Sequence, residues 1–121
     1  MDIQQLEARR LAIVEEIRSI DEMHPGTINE QFFQVRLRGS QGPTRRGPYY
    51  VWTRSKGGKT VSQRLTSPEA VEKARVDVAA YRHFRALCGE YVEITSKLGE
   101  LKRTGEQEKK RSKSGLNKTG K

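Results

Sequence analysis

The chain has little cysteine, few aromatic residues and no long apolar run. A single cysteine, Cys88, stands among 121 residues. A disulfide framework and a cysteine-based zinc site are therefore both excluded within one chain. No apolar stretch reaches the length of a membrane span, so no membrane partner is expected. The opening residues Met-Asp-Ile-Gln-Gln lack the positive flank and apolar run of a signal peptide, and the expected compartment is the cytoplasm. Hydrophobic residues make up 33 % of the chain and charged residues 32 %, which implies a small core inside long polar surfaces. The most telling absence is local: residues 31–68 hold eight basic side chains and no acidic one.

Acids are plentiful elsewhere. Side-chain charge is −4 over residues 1–30, +8 over 31–68, −1 over 69–101 and +6 over 102–121, for a net charge of +9. The chain is a near-neutral frame bearing two basic blocks. Segregated positive charge attracts polyanions, because lysine and arginine displace condensed counterions from phosphates.

The apolar pattern changes period along the chain. Ile3, Leu6, Ile13, Ile17 and Ile20 follow three–four spacing, which predicts a helix over 2–21 with a coiled-coil-like seam. His24-Pro25-Gly26 ends it, since proline cannot continue a helix. Phe33, Val35 and Leu37 then alternate with Gln34, Arg36 and Arg38, as in a strand with one apolar face. Residues 39–48 are broken by glycine and proline and read as a loop, with Thr44-Arg45-Arg46 at its tip. Tyr49–Ser55 is a second strand, Lys56-Gly57-Gly58 a tight turn and Lys59–Leu65 a third strand. Ser67-Pro68-Glu69 starts a helix, with a capping serine, a proline in the first turn and an acid at the positive end of the dipole. Val71, Ala74, Val78 and Tyr81 form its first stripe, and Phe84, Leu87, Tyr91, Ile94, Leu98 and Leu101 a second. Gly89 and Gly99 each weaken this helix by about 1 kcal/mol relative to alanine. The helix should run to about Arg103, and apolar residues almost vanish from Thr104 onward.

The expected fold class is α+β. A three-stranded antiparallel sheet over 27–65 is flanked by an N-terminal helix (2–21) and a long C-terminal helix (67–103). Residues 1–103 form one domain, and 104–121 a disordered basic tail. The two aliphatic seams should pair as an antiparallel hairpin or dimerise, because neither helix can bury its stripe alone.

Gly26-Thr27-Ile28, Gly47-Pro48-Tyr49-Tyr50 and Gly57-Gly58-Lys59-Thr60, followed by a long helix, resemble a family of small bacterial and archaeal proteins with a Gly-Pro-Tyr-Tyr hallmark. The resemblance covers roughly residues 10–103 and implies a fold, not an activity. Members of that family often carry a cysteine cluster just before the hallmark, suggestive of metal ligation. Here that stretch is Gly39-Ser40-Gln41-Gly42-Pro43-Thr44-Arg45-Arg46, without cysteine, and no metal or other cofactor is expected. The hairpin followed by a helix is also similar in pattern to the N-terminal DNA-binding domain of tyrosine-recombinase integrases.

Strand alternation puts Tyr50, Trp52 and Arg54 on one face of the second strand. With Arg64 of the third strand and Arg36 and Arg38 of the first, they would make a face of four arginines and two aromatics, suited to phosphates and to stacking on bases. Val35, Leu37, Val51, Val61 and Leu65 would pack on the helices. Arg45 and Arg46 in the loop, Lys56 and Lys59 at the turn, and Lys109, Lys110, Arg111 and Lys113 in the tail complete the candidate nucleic-acid-binding set. No catalytic site is expected. His24 and His83 belong to no metal or nucleophile motif, and Cys88 reads as a packing residue. The expected function is that of a nucleic-acid-binding accessory protein, with DNA favoured over RNA. The alternatives are an adaptor that docks a partner protein or forms a homodimer through the helical seams, and an RNA- or ribosome-associated factor.

Overall fold

The computed structural model describes residues 1–119 except 37 and 40, with side chains described to residue 106. The element order is α1 (Ile3–Ser19), β1 (Thr27–Val35), β2 (Thr44–Lys56), β3 (Lys59–Leu65) and α2 (Pro68–Thr119). This is the α+β arrangement that the pattern predicts, with one antiparallel sheet in the order β1-β2-β3. The residues fall into two compact units: 1–19 with 84–121, and 20–83.

The first unit is a helical hairpin. Asp2 and Gln5 cap α1 reciprocally. The Gln5 backbone N–H donates to the Asp2 carboxylate at 2.8 Å, and the Asp2 N–H to the Gln5 side-chain oxygen at 3.0 Å. Leu6 and Ile13 of α1 are buried, as are Leu87, Ile94 and Leu98 of α2. Glu7 pairs with Lys102, and Arg9, further along α1, pairs with Glu90. The helices therefore run antiparallel. The Arg9 guanidinium makes two hydrogen bonds to Glu90, at 2.6 and 2.8 Å, and also reaches Glu16. The bonds from Arg9 hold the Glu90 carboxyl below the usual carboxylate range.

The second unit is the sheet with the first turns of α2. Ser67 caps this helix as expected, accepting from the Ala70 N–H at 3.1 Å. Val71, Ala74 and Val78 are buried, which is the predicted first stripe less the half-buried Tyr81. Residues 20–26 are tied to both helix and sheet. The His24 N–H donates to the Asp77 carbonyl at 3.0 Å, Lys73 pairs with Glu22 and Asp77, and the Trp52 indole N–H donates to the Pro25 carbonyl at 3.2 Å. Glycine is required at position 26. A Cβ there would collide with the Trp52 indole and lie 2.8 Å from the Thr53 carbonyl, at a φ of 135°.

Three boundaries differ from expectation. β1 ends at Val35, so Arg36 and Arg38 lie beyond the strand, and Leu37 is outside the described residues. β2 begins at Thr44, because Thr44, Arg45 and Arg46 pair with Val35, Gln34 and Phe33. Arg45 and Arg46 are therefore strand residues and not a loop tip. The backbone of α2 continues past Arg103 to Thr119. The tail expected over 104–121 falls mostly on residues whose side chains are outside the described set.

Candidate nucleic-acid interface

The turn decides which side chains share a face. Gly57 and Gly58, with φ of 60° and 80°, form a two-residue connection that pairs Lys56 with Lys59. Counting back along the ladder, Arg54 pairs with Val61, Trp52 with Gln63, Val51 with Arg64 and Tyr50 with Leu65. Directly paired residues project to the same side of a sheet. Arg64 is therefore on the side of Val51, opposite Trp52 and Arg54. The single face expected to join Arg64 with Tyr50, Trp52 and Arg54 does not form, and Arg36 and Arg38 do not extend it.

One face turns toward α2. It carries Ile28, Tyr50, Trp52, Arg54, Val61 and Leu65 by register. Arg75 of α2 lies 5.3 Å from the Tyr50 ring centre, and Ile28 lines a small cleft with Val78 and Ala79. Trp52 is half-buried here, with the His24 ring edge-on at 4.6 Å and Arg54 4.2 Å from its ring centre. Trp52 is thus held in place by a hydrogen bond and two ring contacts. Val61 and Leu65 are on this side as expected, but Val51 is on the other.

The second face carries Phe33, Arg46, Tyr49, Val51, Thr53, Ser62 and Arg64. The Phe33 and Tyr49 rings are 5.4 Å apart, and the Arg64 guanidinium lies 4.0 Å from the Tyr49 centroid. Phe33 is 52 % exposed, and Arg46 and Arg64 are exposed. The result is a run of flat groups, arginine on tyrosine beside phenylalanine, with a second arginine paired across from Phe33. Cation–π contact keeps such a guanidinium flat on the ring while its edge stays able to donate. A register shift between Gln31 and Phe33 marks a bulge, which re-aims neighbouring side chains. Next to it Arg45 stacks on Phe32 at 3.8 Å.

Phe32, Phe33, Tyr49 and Arg75 are absent from the set chosen on sequence. Phe33 resembles a core residue because it alternates with polar neighbours. The signal that could have corrected the set is the two-residue turn, which alone places Arg64 opposite Val51. Lys56 and Lys59 flank that turn and are exposed. Lys109, Lys110, Arg111 and Lys113 lie outside the described side chains.

The chain matches no family model, no curated protein and no solved structure. Among the described residues no group of three His, Cys, Asp or Glu side chains is placed to hold a metal ion. Among them, too, no helix is long and apolar enough to cross a membrane.

Proposed function

We propose that the protein is a nucleic-acid-binding accessory protein without catalytic activity, and that it binds through the face carrying Phe33, Arg46, Tyr49 and Arg64. The observation that carries this reading is the contiguous Phe33–Tyr49–Arg64 group, with two rings tilted at 51° and a guanidinium over the second, inside a window of 38 residues without an acid. Arginine edges neutralise phosphates, and the exposed phenylalanine offers a surface on which a base or sugar can stack. Arg45, Lys56 and Lys59 add charge along the same strands, and the basic residues of 102–121 add sequence-independent attraction. DNA is favoured over RNA by the strand-and-helix pattern alone.

The test is a salt titration of binding to DNA and RNA oligomers. Neutralising several phosphates gives a slope of log affinity against log salt of about −0.7 to −0.9 per phosphate. A flat slope, or equal binding to an acidic polypeptide of matched charge, would overturn the reading.

A second reading, self-association through the helices, is favoured by Leu11 and Val92, which are 69 % and 63 % exposed in the helical hairpin. Sedimentation across a concentration range tests it, and a monomer throughout would dismiss it.

A further inference from the structure

We propose that the cleft between the end of β3 and the first turns of α2 takes one unpaired nucleotide unit, with its phosphate on Arg75. The inference deepens the nucleic-acid reading and rests on it for the source of the ligand. The cleft has a volume of about 640 Å³, within the range of roughly 300–1,000 Å³ in which small-molecule sites fall. Its lining combines apolar, flat and charged groups. Leu65 and Val71 supply apolar surface, and Tyr49 and Tyr50 supply rings. Arg64 lies 4.0 Å from the first ring and Arg75 5.3 Å from the second.

The charge on these two arginines is uncompensated. Among the described residues neither forms an ion pair, although Glu72 lines the same cleft. A guanidinium held against a ring, as Arg75 is against Tyr50, loses less freedom on meeting a phosphate than a free one would. A base then has the outer side of a stacked guanidinium, or a tyrosine ring, to stack on. The Glu72 carboxylate is an acceptor for a sugar hydroxyl or a base amino group. A lone phosphate would use only the arginine end of the cleft. A base pair inside a duplex is stacked and cannot enter a concavity, so the unit must be a free nucleotide, a strand end or an unpaired base.

The experiment measures binding of the full chain to inorganic phosphate, adenosine 5′-monophosphate, a short single strand and the matching blunt duplex. It compares the wild type with Arg75→Gln and with Arg38→Gln, which removes the same charge outside the cleft. The expected result is a preference for the single strand over the duplex, with the mononucleotide bound more tightly than phosphate. Arg75→Gln should lower single-strand and mononucleotide affinity about tenfold or more. It should change duplex affinity no more than Arg38→Gln does. Equal loss in the two variants, or phosphate bound as tightly as the mononucleotide, overturns the cleft while leaving the sheet-face reading intact. Arg75-dependent binding of the mononucleotide with no binding of either strand supports the cleft and overturns the sheet-face reading. No binding of any probe overturns both.

Discussion

Arg64 pairs with Val51 across the β2–β3 ladder and rests its guanidinium 4.0 Å from the centre of the Tyr49 ring, on the side of the sheet away from Trp52. That placement separates two aromatic–arginine groups that share one strand. Phe33 and Arg64 are exposed, whereas Trp52 contacts His24, Pro25 and Arg54, and Tyr50 lies against Arg75. Mutations on the two sides should therefore fail in different ways.

Phe33→Ala should cost about 1–3 kcal/mol of nucleic-acid affinity, the usual loss of one stacking partner. Its melting temperature should change little, since the ring is half exposed. Arg46→Ala with Arg64→Ala should reduce the salt slope by up to about one unit for each phosphate no longer neutralised. Fluorescence anisotropy across a salt series, with thermal melts of the same samples, checks both. Unchanged affinity and slope in both variants would remove this face as the binding surface.

Trp52→Ala should destabilise the fold by about 2–3 kcal/mol, below the range for a fully buried tryptophan because the ring is half-buried. The Pro25 carbonyl would also lose the indole N–H as a donor. Urea denaturation measures the change. Affinity per folded molecule should stay near wild type, and a selective loss of binding without destabilisation would return Trp52 to the interface.

Gly26→Ala should destabilise by at least about 2 kcal/mol, since it adds a collision with the Trp52 indole to a positive φ. A variant with wild-type denaturation would show that residues 20–26 do not strap the sheet. Gly42→Ala, with nothing within 4 Å of the added Cβ, is the control.

The Arg9–Glu90 pair predicts an acid limb in stability. Its hydrogen bonds depress the Glu90 pKa in the folded state. The resulting stabilisation is complete above the unfolded value, about 4.3 for glutamate. It is lost as pH falls through the lower folded value. Glu90→Gln should flatten this part of the profile, read from urea midpoints between about pH 2 and 6. A variant that keeps the full acid limb would assign it to other carboxylates.

Deleting residues 104–121 removes six basic and two acidic side chains, a side-chain charge of +4. Among the described residues, the buried ones of both units all precede the cut, so the circular dichroism melt of the remaining chain should be preserved. Affinity for nucleic acid should fall, and the salt slope with it. An unchanged slope would show that the segment neutralises no phosphate.

Local information determined the elements. The three–four spacing of Leu6, Ile13, Leu87, Ile94 and Leu98, the Ser67 cap and the Gly57-Gly58 turn each act within a few residues, and each is realised in the fold. The length of α2 and the start of β2 were less legible. Arg45 and Arg46 look like loop residues beside glycine and proline until β1 offers them a pairing partner. The binding face was the least legible of all. A strand's own alternation says which residues share a side, but not which side meets its neighbour's. A one-residue change in pairing moves a whole strand's side chains to the opposite face. For Arg64 the two-residue turn already carried the answer. For Phe33 it did not: between the Gln31–Tyr49 and Phe33–Arg46 pairs β2 takes one residue more than β1, across Gly47-Pro48, so β1 keeps its alternation while that of β2 is reset. Only the tertiary structure decided that Tyr50 and Trp52 turn toward α2 while Phe33 and Tyr49 do not. That choice depends on which side of the sheet buries more apolar surface against Val71, Ala74 and Val78, and these residues are brought to the sheet by the fold and not by the sequence around it.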